Sequence, residues 1–187
     1  MKDKDCRREG ALTEYRRAVT PGATWFFTVN LTERRGNDLL VSKIEALRGA
    51  FRAVRARYPF RMEAVVVLPD HLHCVWALPA GDADYSTRWG LIKGHFSRAV
   101  ERGERLSASR IKRGERGIWQ RRFWEHLIRD EEDLTRHIDY LHWNPVKHGW
   151  VHRVADWPHS SFHRYVRQGV YPREWGGGAL LNITGGE

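Results

Sequence analysis

Cysteine is almost absent from this 187-residue chain: only Cys6 and Cys74 occur, too few and too far apart for a disulfide framework or a cysteine-ligated zinc site. That scarcity suits a reducing compartment. Long apolar runs are lacking as well. No segment approaches the roughly 20 residues that a bilayer span requires, and the N-terminal MKDKDCRREG is charged with no apolar stretch behind it. A soluble, cytoplasmic protein with no membrane partner is expected. Acidic residues are in deficit, 23 Asp and Glu against 32 Lys and Arg, and the net charge of +9 points to a polyanionic partner. Internal repeats and low-complexity segments are missing apart from the glycine run at 176–178.

What the chain has in abundance is arginine and tryptophan. The guanidinium is a planar fork of donors that suits phosphate. Nine Trp exceed what a core of this size needs, so some are expected to be exposed, where stacking on unpaired bases is one use. The alternative is an aromatic-heavy core under an ordinary basic surface. The length suits one compact domain, burying about 70% of its unfolded surface.

Residues 1–22 read as a basic lead, closed by Pro21 and Gly22. TWFFTVNLT at 24–32 reads as a strand, and 37–58 has helical spacing, with Leu40, Ile44, Leu47, Phe51 and Val54 on one side. Residues 61–68 and 71–78 flank a tight Pro69-Asp70 turn and form an antiparallel hairpin. A helix follows at 84–102, then a basic stretch at 105–122 with seven Lys or Arg against one acid, Glu115. A last strand at 123–129 leads into a helix from Glu131. The order strand, helix, strand, strand, helix, strand predicts an α+β, ferredoxin-like split βαβ fold with an antiparallel sheet, extended by a C-terminal helix and an aromatic tail. The expected organisation is the lead at 1–22, a catalytic domain at 23–154, and a tail at 155–187 packing on the same domain.

Two segments carry candidate chemistry. In VVVLPDHLHCVWALP, at 65–79, His71 and His73 are two residues apart and share one strand face, while Cys74 points to the other as a small buried hydrophobe. Ten His in the chain make such a pair weak by itself, and paired core or surface histidines remain an alternative to metal ligation. In EEDLTRHIDYLHWNPVKHGW, at 131–150, Leu134, Ile138 and Leu141 form an apolar stripe, whereas Asp133, Arg136, His137, Tyr140 and Asn144 project elsewhere. Tyr140 thus stands among polar groups that can bond an anion. Asn144 has a structural reading too, as the cap of a short new helix beginning at Pro145. RIKRGERGIWQRRFW, at 110–124, reads as a basic loop whose Trp119 and Trp124 could stack on single strands.

PDHLHCVW, HIDYLHWNPVKHGWV and WPHSSFHRYV together resemble the single-tyrosine transposases of the HUH superfamily, and within them the REP-associated tyrosine transposases, over roughly 15–176. The resemblance implies a central strand bearing His71 and His73, which with Asn144 would hold Mg²⁺ or Mn²⁺. Tyr140 would be the nucleophile that nicks and rejoins single-stranded or hairpin DNA through a 5′-phosphotyrosine. Insertion-sequence relatives usually carry Gln one turn after the tyrosine; Asn144 matches the palindrome-associated branch. Arg110, Lys112, Arg113, Arg121 and Arg122 of the loop, with Arg136 and Lys147 of the helix, are the expected DNA contacts. A bacterial, nucleoid-associated protein acting as monomer or homodimer is implied. Two other readings stay open: a catalytically idle hairpin-binding protein, and a metal-dependent hydrolase that uses water.

Overall fold

A computed structural model describes residues 19–176. The aromatic, β-branched run after Gly22 forms β1 (Thr24–Asn30). The helical pattern that follows is split at Lys43 into a single turn, α1 (Leu39–Ser42), and α2 (Ile44–Arg57). β2 (Arg61–Val67) and β3 (His71–Ala77) then make the expected hairpin, closed by a Leu68 N–H donating to the His71 carbonyl at 2.9 Å. α3 (Tyr85–Ala99) begins where the Asp84 side chain accepts from the Thr87 N–H at 2.9 Å. The basic stretch contains one short helix, α4 (Ala108–Lys112), before β4 (Trp124–Leu127) and α5 (Glu131–Lys147). A 3₁₀ turn at Val154–Asp156 and α6 (Phe162–Arg167) follow.

The strand order is β2-β3-β1-β4, and every pair is antiparallel, so the ferredoxin-like topology read from the element order holds. β3 is a central strand, as expected. Both faces of the sheet are covered. Trp25, Phe27, Leu72, Cys74 and Trp76 enter a core beneath α2 and α3, while Phe26, Val66 and Val75 enter a second core with Ile138, Tyr140 and Leu141 of α5. The outer edge of β2 is closed by the tail: Val67 N–H donates to the His159 carbonyl at 2.9 Å and Ser161 N–H to the Val65 carbonyl at 2.8 Å.

Three expectations change. The tryptophans belong mainly to the core, because Trp25, Trp76, Trp89, Trp119 and Trp157 are buried, and Trp150 alone among the described tryptophans is exposed. Trp119 is buried against Phe96 and so is not free for stacking, whereas Trp124, at the start of β4, is half-buried with its ring against Phe26. The side of α5 that meets the sheet carries Asp133, His137, Tyr140, Leu141 and Asn144, all buried, whereas Leu134 is only partly so. The polar side of that helix therefore turns inward, and its polar groups need partners there.

Candidate functional site

The period of two along β3 sends Leu72, Cys74 and Trp76 under α2 and α3, and so turns His71 and His73 toward α5. Each ring is held from behind. His73 Nδ1 lies 2.9 Å from Thr28 Oγ1 on β1, its partner in the strand register. His71 Nδ1 lies 2.7 Å from Asp70 Oδ1, and Arg34 Nε donates to the same carboxylate at 2.7 Å. Burial would raise the Asp70 carboxyl, but the hydrogen bonds from His71 and Arg34 outweigh it and bring its pKa down to about 2. Partners that accept from Nδ1–H leave each Nε2 as a lone-pair donor aimed the other way.

Those Nε2 atoms are the unusual feature of the site. Both are buried and have no hydrogen-bond partner among the described residues, and Asn144 Oδ1 shares that condition. An orphaned buried acceptor costs about 1–3 kcal/mol, so three at one place require an explanation. Burial, then the neighbouring His71 and His148, keeps the His73 imidazole neutral well below the usual histidine range, against a smaller opposing effect of the Asn144 side chain. Neutral imidazole is the form that ligates metal. The donor set of two imidazoles and an amide oxygen fits a divalent ion.

α5 brings the other two members. Its start is fixed by Asp130, whose side chain accepts from the Asp133 N–H at 2.8 Å, and by an acidic first turn of Glu131, Glu132 and Asp133 that suits the positive end of the helix. Asn144 does not cap a new helix. α5 runs on through Pro145 to Lys147, since a proline in the last turn forfeits one hydrogen bond without breaking the helix behind it. Asn144 therefore sits one turn after Tyr140, its Nδ2 donating to the Tyr140 carbonyl at 3.3 Å. The Tyr140 ring is 5.6 Å from that of His73, and the His73 and His71 rings are 5.0 Å apart. The two histidines, the amide and the phenol are thus gathered between β3 and α5.

Lys147 plays a more local part than expected. Its Nζ donates to the Tyr140 hydroxyl at 3.3 Å and lies 5.0 Å from the ring centre. His148, which ends α5, places its ring 5.2 Å from His71. Of the loop cations, Lys112, Arg113, Arg121 and Arg122 are exposed, with Arg121 donating to Glu115 at 2.8 Å. Arg110 is turned inward to the Trp119 carbonyl at 3.2 Å and Thr32 Oγ1 at 3.0 Å, which shapes the loop. Arg136 is engaged with Glu132 at 3.1 Å and Asp133 at 3.2 Å.

Sequence reasoning passed over Thr28, Arg34, Asp70 and His148. Asp70 had a signal, as the residue before His71 in the turn; Thr28 becomes visible only through strand register. It also passed over a second cluster, His126, Asp133 and His137, whose ligand-type atoms lie within 4.8 Å of one another, a spacing that could hold a metal ion. Here the groups already satisfy each other. Asp133 accepts from His126 Nε2 at 2.9 Å and from the Arg129 N–H at 3.1 Å, and the His126 and His137 rings stack at 4.4 Å. The cluster pins the first turns of α5 to β4, and through His137 against Phe26, 4.9 Å away, it sets the depth at which Tyr140 lies.

No family model matches the chain. Over 176 residues it is 49% identical to the REP-associated tyrosine transposase of Escherichia coli K12, covering 94% of this chain and 98% of that protein. Over 175 residues it is 45% identical to a Haemophilus influenzae relative whose name likewise gives REP-associated tyrosine transposase, covering 93% and 99%. Among solved structures, a REP-associated tyrosine transposase bound to a REP hairpin superposes with a TM-score of 0.81 at 46% identity, covering 94% of this chain and 98% of that one.

Proposed function

The chain belongs to the REP-associated tyrosine transposases, and from that premise we propose that it nicks and rejoins single-stranded DNA at folded, REP-like hairpins, with Tyr140 as the attacking group. The observation that carries this reading is the set of three orphaned, buried atoms, His71 Nε2, His73 Nε2 and Asn144 Oδ1, beside the Tyr140 ring. A water-using hydrolase would have no need of a phenol there. A purely DNA-binding protein would have no need of three unsatisfied acceptors beneath its surface.

In the proposed reaction the Tyr140 oxygen attacks a scissile phosphate. A bond from that oxygen to phosphorus forms, the bond from phosphorus to the 3′-oxygen breaks, and a 5′-phosphotyrosine remains. The proton lost by the phenol is matched by the one the 3′-oxygen takes up. Reversal by a free 3′-hydroxyl joins strands with no external energy source. His71, His73 and Asn144 would hold Mg²⁺ or Mn²⁺, which would supply charge stabilisation at the phosphate oxygens. Thr28 and Asp70 fix the two imidazoles with Nε2 forward. A neutral phenol is a weak nucleophile, and the Lys147 ammonium, donating to its oxygen, would orient that oxygen toward the phosphate. Lys112, Arg113, Arg121 and Arg122 supply sequence-independent attraction to DNA.

Covalent trapping tests the reading. Incubation with hairpin oligonucleotides and Mn²⁺ should give a protein–DNA adduct that Tyr140→Phe abolishes while hairpin binding persists. An adduct that survives Tyr140→Phe, or none with the unaltered protein, would refute it.

A further inference from the structure

Where the tail closes the β2 edge, a hollow of about 350 Å³ opens on the face of the sheet that α2 covers, away from Tyr140. The apolar stripe of α2 is wider than the strand surface it meets. Leu47, Ala50 and Val54 are buried, whereas Ile44 and Phe51 are only half-buried and line the hollow together with the half-buried Met62 and Val65 of β2. Apolar side chains left partly open in a concave place mark a binding surface more often than a convex patch does.

Its charged groups are all of one sign. Arg48 and Arg52 of α2 and Arg164 of α6 belong to the lining, and no Asp or Glu does. Arg48 donates to Glu45 at 2.6 Å, an exposed pair within one helix that contributes little and that another carboxylate can replace. Arg52 is exposed and has no hydrogen-bond or ion-pair partner among the described residues. Arg164 is held by the Met62 and Glu63 carbonyls and has no carboxylate beside it among the described residues, so its charge is fixed in place with nothing to neutralise it. The hydroxyls of the lining, by contrast, are already used. Ser160 Oγ accepts from the Phe162 N–H at 3.1 Å, and Ser161 Oγ accepts from the Val65 N–H at 2.9 Å and meets His142 Nε2 at 2.9 Å. Only His159 Nδ1, buried and without a partner, offers a polar point on the lining.

We propose that this hollow docks an acidic segment of a partner protein, which places one bulky apolar side chain on the floor and pairs its flanking carboxylates with Arg48, Arg52 and Arg164. An aromatic or branched side chain suits the floor because it brings no polar edge that the spent hydroxyls would leave unpaired, at about 1–3 kcal/mol for each such group. A nucleobase brings several. The guanidinium fork suits carboxylates, and an apolar anchor ringed by arginine is a recurring way of reading an acidic peptide. The size agrees as well, since about 350 Å³ holds a large side chain and not the face of a helix. A partner seated there leaves the α5 face open, so docking is independent of the chemistry at Tyr140.

Fluorescence anisotropy on the full chain, with a saturating REP-like hairpin present, tests it. The probe is a fluorescein-labelled nonapeptide with a central phenylalanine flanked on both sides by aspartates, compared with a version carrying alanine at the centre and one carrying lysines in place of the aspartates. The phenylalanine peptide should bind, and the alanine peptide should bind about tenfold more weakly, as loss of one buried ring requires. Arg48→Glu with Arg52→Glu, two exposed positions, should weaken the aspartate peptide about tenfold and gain affinity for the lysine peptide. Hairpin affinity and Tyr140 adduct yield should stay as in the unaltered protein. A folded variant is certified by the gain for the lysine peptide, so loss of binding through misfolding is told apart. The docking surface is refuted if the phenylalanine peptide does not bind, if the alanine peptide binds as tightly, or if the charge reversal leaves binding unchanged. It is refuted equally if the reversal weakens the hairpin as much as the peptide, which would give the surface to DNA. Absence of the Tyr140 adduct with peptide binding intact would remove the enzymatic reading and leave the docking surface.

Discussion

Beneath α2 and α3, Phe60, Trp76 and Trp89 stack with ring centres 4.1 and 4.4 Å apart, and the layer around them is almost wholly apolar. Beneath α5 the same strand that supplies Trp76 presents His71 and His73, whose buried Nε2 atoms lack hydrogen-bond partners. Both faces leave buried polar atoms without partners, but of different kinds: the indole N–H groups of Trp25, Trp76, Trp89 and Trp119 are scattered through a layer of apolar burial, whereas two imidazole nitrogens and an amide oxygen, atoms that a cation can use, are gathered at one place beneath α5. A strand with a period of two can carry both because neighbouring residues never share a face. If His71 and His73 act as proposed, stability and chemistry are separated by a single Cα–Cα step along β3.

The contrast can be broken from either side. Trp76→Ala should cost about 3–5 kcal/mol in a urea unfolding experiment, yet leave the adduct yield per folded molecule unchanged. Asp133→Asn weakens the pin between β4 and α5 and should cost about 2–3 kcal/mol. Unlike the tryptophan change, it should also slow adduct formation, because the depth of Tyr140 is set through that pin.

Acid acts next. His142 is buried against Ser161 of the tail at 2.9 Å, and burial, with Arg164 and His163 nearby, pushes its pKa down to about 3. The unfolded chain, with an ordinary value of 6.5, takes up this proton first. Stability is therefore full above pH 6.5 and falls as pH drops toward 3, by about 1.4 kcal/mol per pH unit at most. Urea midpoints measured between pH 7 and 5 should fall in the unaltered protein and fall less steeply in His142→Phe, the remaining slope coming from His73 and His137, whose burial also lowers their pKa values. The smallest effect is expected of Lys147→Met, which should slow adduct formation about tenfold, equivalent to about 1.4 kcal/mol of barrier, and shift stability by less than about 0.5 kcal/mol, since the side chain is exposed.

Much of this arrangement was legible in the sequence where local periodicity decides it. The alternation along 71–77 placed the two histidines together and Cys74 behind them, and the order of elements gave the sheet. The helix from Glu131 was harder, because an apolar stripe ordinarily marks the buried side. Here Tyr140, His137 and Asn144 face the sheet, since β3 and β4 offer histidines there in place of a purely apolar surface. Asn144 before Pro145 reads locally as a boundary, and only the completed helix shows that the proline falls late enough to be tolerated. Thr28, Arg34 and His148 could not be found from spacing at all, because each meets the site through contacts distant in sequence.

On the proposed reading, the polar atoms under α5 serve chemistry and not stability. The most direct test replaces His73 and its hydroxyl partner together, as His73→Leu with Thr28→Val, so that neither is left unsatisfied. Thermal unfolding and Mn²⁺-dependent adduct formation are then measured on the same protein. A melting temperature equal to or above that of the unaltered chain, with the adduct gone, is the predicted result. A protein that still forms the adduct, or one that fails to fold, would contradict it.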